Sequence, residues 1–395
     1  MQIGKIADYP WSARSNNPVL ASWGFKRVSD KMKRLLIIDR HQFGYLTDTY
    51  SYCRHLAGRY AITYVGWDYG LPTISLEGVQ VISVERTGGQ ARRLGRYILR
   101  AAREMRTHNH DLVFIVLFLG CSLLRFSGGA TPVVIDIRTG SEKSGRLSRW
   151  LENLQFRVEA SAFRHISIIS DSLRKVLRFP EGRCYILPLG AEPQGLPPRQ
   201  FSDLRLLYVG TLIQRHIEET VRGVELFHRS VGNAVPITYD IVGDGDRADN
   251  DRLTDAIARS SCKESIRYHG RVPYDRLRPF LERVNVGVAF VPMTPYFHCQ
   301  PATKIFEYLL AGMPVMATAT EENRLVVTPD LGILHEDTAE GFCEGLHRLA
   351  DSLGTYDSSH ITAAATRYSW ESIVRDRLEP MLEQVLVPGS PEVGA

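Results

Sequence analysis

Short, nearly continuous apolar runs recur along the chain, and most are separated by stretches whose apolar residues are spaced for a helix. Arg34–Asp39 (RLLIID) is such a run, closed by an acidic residue, and predicts a strand buried on both faces. A glycine-bearing turn, His41–Tyr45, leads to Asp48–Arg59, where Tyr52, His55 and Leu56 share one helical side. Ala61–Trp67 predicts the next strand. Strand, turn, helix and strand make a βαβ unit of a doubly wound sheet. Further strands are predicted at Gln80–Val84, Leu112–Leu119, Pro132–Ile137, His165–Ser170 and Tyr185–Leu189, with helices at Ala91–Arg106 and Leu147–Ala162.

Gly190–Ser202 (GAEPQGLPPRQFS) breaks the rhythm with prolines and glycines and predicts a linker. A second series follows. Strands are expected at Leu204–Val209, Ile237–Val242, Ile266–His269, Val286–Phe290 and Val315–Thr318. Helices are expected at Glu218–Ser230, Asp251–Ser260, Tyr274–Arg283 and Lys304–Leu310. The expected organisation is an extension over 1–33, a first Rossmann-like domain over 34–195, a second over 204–365, and a closing helix over 366–387 that returns to the first domain. Two such domains meet across a cleft, and ligands bind at the C-terminal ends of parallel strands, so the cleft is the expected active site.

Composition narrows the partners. The chain has 395 residues and a net charge of +4, too long for one ordinary core and suited to two. Its charge is unevenly placed. Residues 1–195 carry 28 Lys and Arg against 16 Asp and Glu, or +12, while 196–395 carry 20 against 28, or −8. A basic half expects an anionic partner, with nucleic acid, an anionic membrane surface and a phosphorylated acceptor all open at this point. The six cysteines are scattered without CxxC pairing or zinc spacing, which fits a reduced, cytoplasmic compartment. The run Leu112–Leu124 is interrupted by Gly120, Cys121 and Ser122 and is too short for a membrane span, which needs about 20 residues.

Gln300–Thr318 (QPATKIFEYLLAGMPVMAT) holds the strongest candidate chemistry. A proline-bearing loop enters a short helix near Thr303, the helix stops at Ala311-Gly312, and Pro314 starts a buried strand. Amides at the helix start, with Lys304 beside them, make a seat for a phosphate or diphosphate. Glu307, one turn on, is placed to accept hydrogen bonds from vicinal hydroxyls. Alone, Lys304 and Glu307 would be an ordinary surface pair; the loop, helix, glycine, proline and strand around them favour a site.

This segment resembles the donor-binding signature of glycosyltransferase family 4, enzymes of the GT-B fold, through Pro301, Lys304, Glu307, Tyr308, Ala311, Gly312, Pro314 and Val315. Leu207–Leu212 (LYVGTL) with Arg215, Ile241–Gly245 (IVGDG) and Tyr268–Val272 (YHGRV) resemble the family's upstream donor-domain loops. The resemblance implies an α/β protein of GT-B type that moves a sugar from a nucleotide diphosphate-sugar to a saccharide or lipid-linked saccharide acceptor. It implies retention at the anomeric carbon and no metal. Catalytic roles are expected for Glu307, Lys304, Asp136 and His41. Donor contacts are expected from Gly44, Gly210, Thr211, Arg215, Gly243, Arg271, Thr303, Lys304 and Glu307. His41 and Gly44 stand in IDRHQFGY, which resembles a cleft-facing first loop, and Asp136, with Arg138, in VVIDIR, which resembles a strand aimed at the acceptor.

The sequence departs from the family at three points, one being that Arg215 stands one position before the family's usual lysine, with His216 next. The first of two acidic residues that many members carry falls at Cys299, and Ala302 replaces the usual glycine, which argues against carrying over a particular donor. A nucleotide-sugar epimerase of the same architecture, or a partner-dependent subunit that binds nucleotide sugar without turnover, are the alternatives. Finally, Ala91–Arg106 holds six arginines and one glutamate among Leu94, Tyr97, Ile98, Leu99 and Met105. Such a helix is either a solvated basic face or a peripheral contact with the anionic inner face of a membrane. No motif for nucleic acid accompanies it, so none is expected as a partner.

Overall fold

A computed structural model describes residues 32–273 and 276–387. In the first domain β1 (Lys33–Ile38), β2 (Tyr60–Asp68), β3 (Val79–Glu85), β4 (Leu112–Val116), β5 (Val133–Ile137), β6 (His165–Ile168) and β7 (Cys184–Ile186) form one parallel sheet. Their order is β3-β2-β1-β4-β5-β6-β7. Helices α1 (Thr47–Leu56), α2 (Gln90–Thr107), α3 (Arg146–Ser161) and α4 (Asp171–Leu177) belong to this domain. The order reverses between β1 and β4, which opens a crevice at their C-terminal ends. Both neighbours are apolar because helices cover both faces: Leu35–Ile38 and all of β4 are buried.

The second domain repeats the plan with β8 (Leu204–Val209), β9 (Ile237–Val242), β10 (Ile266–Tyr268), β11 (Val286–Ala289), β12 (Val315–Thr318) and β13 (Gly332–His335). The order is β10-β9-β8-β11-β12-β13, so its switch point lies between β8 and β11. Its helices are α5 (Glu218–Val231), α6 (Arg247–Arg259), α7 (Arg278–Arg283), α8 (Pro295–His298), α9 (Thr303–Leu310), α10 (Glu321–Val326), α11 (Ala339–Ser352) and α12 (Ser358–Ala365). α9 buries Ile305, Phe306, Tyr308, Leu309 and Leu310, which leaves Lys304 and Glu307 on its remaining face.

The chain then crosses back. α13 (Trp370–Ile373), a π-helical stretch (Val374–Leu378) and α14 (Glu379–Leu386) bury Trp370, Ile373, Leu378 and Leu382 against Tyr52, Leu56 and the first sheet. Backbone bonds tie the crossing to the linker: Ala191 N–H donates to the Tyr368 carbonyl at 3.0 Å, and Trp370 N–H to that of Ala191 at 3.1 Å.

Differences from the expected elements have local causes. β4 stops at Val116, short of Leu119, because Gly120 (φ +86°) turns the chain into the 3-10 helix Cys121–Phe126. The short helices α4, α8 and α10 were missed. Ser170, Thr294 and Thr320 cap them, a signal legible in sequence but weak beside so few apolar positions. β13, α11 and α12 were also unassigned. The expected extension over 1–33 lies almost wholly outside the described residues, and Lys33 already belongs to β1. Tyr274, where a helix was to begin, is also outside them; the described part of that helix starts at Arg278.

Candidate functional site

The floor of the cleft on the second domain is the end of β8. Tyr208 turns its hydroxyl to the Thr211 carbonyl, donating at 2.6 Å, and Val209 N–H donates to the Tyr308 hydroxyl at 2.9 Å. These bonds join β8, the loop after it and α9. Gly210 has φ +152°, and a Cβ there would stand 2.8 Å from the Lys304 Nζ. Glycine therefore leaves the room that the lysine head occupies. Gly243 closes over the same loop from β9, so tightly that a Cβ would lie 1.8 Å from the Gly210 carbonyl oxygen.

Lys304 Nζ stands 3.8 Å from the centroid of the Tyr208 ring, and Arg215 lies over Phe297 at 4.3 Å. Aromatic faces hold both cations without neutralising them. Arg215 is flanked by Gln214 (φ 54°) and His216 (φ 53°), a left-handed pair of non-glycine residues that presents the guanidinium on a sharply bent loop. Among the described residues no carboxylate lies within ion-pair distance of Lys304. Burial pushes its ammonium down to about 7, and the neighbouring Arg215 charge adds to this against the pull of Glu307. Burial likewise pushes the Glu307 carboxyl up to about 7, against the pull of Lys304. The site thus brings together two cations, neither ion-paired to a carboxylate among the described residues, and one carboxyl short of solvation.

The start of α9 adds donors. Ala302 N–H reaches the Asn323 side chain at 3.4 Å and Ile305 N–H the Ala302 carbonyl at 2.9 Å, while the Thr303 and Lys304 amides between them have no partner among the described residues. One cleft of about 840 Å³, counted up to its open mouth, is lined by Gly210, Thr211, Arg215, Thr303, Lys304 and Glu307. Tyr296, Phe297 and Gln300 complete its wall. Those three were missed in the sequence, where only an aromatic pair after Pro295 hinted at them. Two of them also touch the first domain: Tyr296 donates to Glu142 at 3.1 Å, and Thr139 to the Gln300 side-chain oxygen at 3.3 Å.

Other expected residues do not join this wall. Gly243 serves backbone packing, and Arg271 is exposed on the loop beyond β10. At Gly44 (φ +86°) the space a Cβ would take is filled by Ile74 at 2.5 Å, so the missing side chain makes room for the protein's own chain. Asp136 corrects the reading of an acceptor-facing carboxylate. It has no exposure, accepts a short hydrogen bond from Ser167, and sits 3.7 Å from Arg138. Arg138 is itself paired with Asp48 at 2.7 Å and donates to the Leu187 carbonyl at 3.0 Å. Burial pushes the Asp136 carboxyl up to about 6 in spite of Arg138. His41, half-exposed after β1, is fixed through Nδ1 to Asp39 at 2.7 Å, which raises its pKa against the opposing effect of burial.

Cys299, at the position of the family's first acidic residue, is buried. Its thiol donates to the Tyr296 carbonyl at 3.2 Å and is pushed up to about 11 by burial. Asp246 caps α6 and Asp244 accepts from Asn250, so the DGD turn is occupied within its own loop. One group among the described residues, Glu104, His108 and His110, brings potential metal-ligand atoms within 4.8 Å of one another. It lies where α2 ends and β4 is about to begin, at the opposite end of the sheet from the cleft.

Residues 203–352 match the model of a family described as "Glycosyl transferases group 1", which covers the domain that holds this site. No curated protein matches the sequence. Among solved structures, the lipopolysaccharide outer core galactosyltransferase WaaB is similar at TM-score 0.67 and 13% identity, over 88% of this chain and 100% of that one. The sucrose-phosphate synthase of Thermosynechococcus elongatus is similar at TM-score 0.67 and 12% identity, over 89% and 99%. Anabaena HepE, solved with UDP, is similar at TM-score 0.65 and 13% identity, over 89% and 99%. At such identities the likeness establishes the fold: this chain has the GT-B architecture, and its second domain carries the group 1 glycosyl transferase match.

Proposed function

We propose that the protein is a glycosyltransferase that moves a sugar from a nucleotide diphosphate-sugar to a saccharide or lipid-linked saccharide acceptor, with retention and without a metal. The observation that carries this reading is the convergence of Arg215, Lys304 and the Thr303 and Lys304 amides on one cleft wall, with Glu307 one helical turn further along. Two cations and two amides suit the two negative charges of a diphosphate ester. As the bond to the sugar breaks, charge grows on the leaving diphosphate, and fixed cations already in place stabilise it most at that moment. Glu307 accepts hydrogen bonds from donor-sugar hydroxyls, and the aromatic pair Tyr296 and Phe297 supplies an apolar flank. His41 is assigned the acceptor-side wall, where a ring fixed by Asp39 at Nδ1 offers Nε2 to a sugar hydroxyl.

Support also comes from the nature of the similar structures, one of them solved with UDP and another named a galactosyltransferase. A non-catalytic nucleotide-sugar-binding subunit and an epimerase remain as rivals to be separated by experiment. A panel of nucleoside diphosphates and nucleotide sugars is screened for thermal stabilisation, and hits are then incubated with saccharide and lipid-linked acceptors. The expected result is a hit lost in Lys304→Ala, followed by a glycosylated product and free nucleoside diphosphate. A saturating ligand at 100 times its Kd adds about 2.7 kcal/mol. Binding with no product over any acceptor favours the subunit, and conversion of the nucleotide sugar to its isomer favours the epimerase. No binding at all removes the donor site.

A further inference from the structure

For α2, read as either a solvated basic face or a peripheral membrane contact, Tyr97 and Met105 are buried in the core, and of its larger apolar residues only Leu99 stands exposed. The exposed apolar surface lies beside it. On α3, Leu147, Trp150, Leu151 and Val158 follow helical spacing on one face, and that face points outward: Leu147 is 70% and Trp150 55% exposed. A helix in a two-domain α/β protein normally turns such a stripe inward. The 3-10 helix Cys121–Phe126, which packs against the C-terminal part of α3, exposes Leu123 and Phe126, the latter 84% exposed.

These segments are neighbours. Glu159 of α3 accepts from Gly120 N–H at 2.7 Å and Ser122 N–H at 2.9 Å, which fixes the 3-10 helix against α3. On its other side Gly120 leaves room for Ile98 and Leu94 of α2. Arg106 of α2 reaches Ser127, the residue after Phe126, at 3.5 Å. The outward face of α2 at helical spacing about Leu99 reads Arg92, Arg96, Arg103 and Arg106, and Arg125 and Arg146 add further exposed charge beside the apolar residues.

We infer that this face docks the protein on a lipid bilayer bearing anionic headgroups, with Trp150, Leu147 and Phe126 entering the interface and the arginines of α2 meeting the headgroups. An apolar wedge bordered by guanidinium groups matches the interfacial region in both polarity and charge. A second copy is a poorer occupant, because a two-fold contact would set this arginine border against itself. The location has a consequence that rests on the transferase reading. Leu147 follows by five positions Glu142, which bonds the pocket-wall Tyr296, so the wedge borders the cleft. An acceptor held in the bilayer by a lipid tail then presents its head at the cleft without leaving the membrane.

The test uses the full chain, no nucleotide sugar, and phosphatidylcholine vesicles with or without phosphatidylglycerol. The wild type is expected to co-sediment with the anionic vesicles and far less with the zwitterionic ones, more weakly at high salt. The double variant Leu147→Ser/Trp150→Ser should lose about a hundredfold or more in partitioning, since two large apolar anchors are removed. Both positions are exposed, so its melting temperature and its nucleotide-induced stabilisation should stay unchanged, which keeps this result separate from that of the donor site. Trp150 emission should shift to the blue with anionic vesicles, read as the difference between wild type and Trp150→Phe. Three results would overturn the inference: no anionic preference, equal partitioning of the double variant, or a vesicle-free dimer in light scattering that the double variant abolishes.

Discussion

The two walls of the cleft treat their polar residues in opposite ways. On the second domain Lys304, Arg215 and Glu307 are held close to one another without internal neutralisation among the described residues, and the cost shows as an ammonium pushed down and a carboxyl pushed up to about 7. On the first domain Asp136, Arg138 and Asp48 sit at comparable strand-end and helix-start positions, yet each has an opposite charge within 4 Å and Asp136 also accepts from Ser167, although burial still pushes its carboxyl up to about 6. Charges left without partners in a cleft are preorganised for a ligand; charges paired beneath it hold the scaffold. On the proposed function, ligand chemistry belongs to the second domain's wall and architecture to much of the other.

The largest effect should come from the unpaired side. Lys304→Ala and Glu307→Ala are each expected to lower turnover about a thousandfold, the scale of removing one preorganised charge-stabilising group. Their melting temperatures should hold or rise, because each removes a poorly solvated group. Steady-state transfer rates set beside thermal denaturation check this. Near-normal rates in both variants would move the donor site elsewhere.

Arg138→Met tests the paired side. It strands Asp48 and fully buried Asp136, and a stability loss of about 3 kcal/mol in urea denaturation is expected, with donor affinity of the folded fraction unchanged. Asp136→Asn should be far milder, since Asn retains a group for Ser167 to donate to. The sign of its pH dependence is defined. Asp136 has its folded pKa raised to about 6, so its contribution is greatest at low pH and is lost as pH rises through that value. The variant should therefore gain on the wild type as pH rises from about 4 to about 6. A collapse of turnover in Asp136→Asn at unchanged stability would erase the distinction between the two walls.

A smaller effect sharpens the comparison through pH. Burial pushes the Lys304 ammonium down to about 7, and a bound diphosphate would raise that pKa, so binding takes up a proton above pH 7 and affinity falls as pH rises. The limit is about tenfold per pH unit. Glu307 acts on the other limb: hydroxyl donors favour its carboxylate, so the sugar's contribution grows as pH rises toward 7. A nucleoside diphosphate should show only the falling limb in calorimetric titration, and a nucleotide sugar both. Lys304→Met should flatten the first and Glu307→Gln the second. A flat profile for the wild type would mean that neither group faces the ligand.

What could be read in advance divides along the same line. The order of strands and helices follows from apolar runs alone, because both sheets are covered on both faces. That Pro301, Lys304 and Glu307 share one cleft wall was legible because a loop entering a short helix sets their spacing, and spacing is written in sequence. Asp136 was misread because a strand-end carboxylate looks the same whether it faces a ligand or Ser167; the partner comes from β6, 31 residues on. The outward stripe on α3 was hidden for a related reason. Period alone marks an apolar face but not the side on which the sheet lies, so the helix predicted over Leu147–Ala162 did not show that Leu147, Trp150 and Leu151 face outward and Ala160 inward.

Gly44 gives the finest test of that line. The resemblance placed it beside a donor phosphate, whereas here its missing side chain makes room for Ile74. Both a ligand and a neighbouring side chain can require a glycine, and they differ in what else responds. Gly44→Ala is expected to cost about 1 kcal/mol for the positive φ, with a further cost for displacing Ile74. Adding Ile74→Ala removes the collision but not the backbone strain, so the double variant should be more stable than the sum of the single losses. Urea denaturation of the four proteins measures that coupling. Donor affinity should follow stability and show no loss of its own. If Gly44→Ala instead leaves stability intact and weakens donor binding, this loop meets the phosphate after all, and the first wall contributes to the donor site as well as to the scaffold.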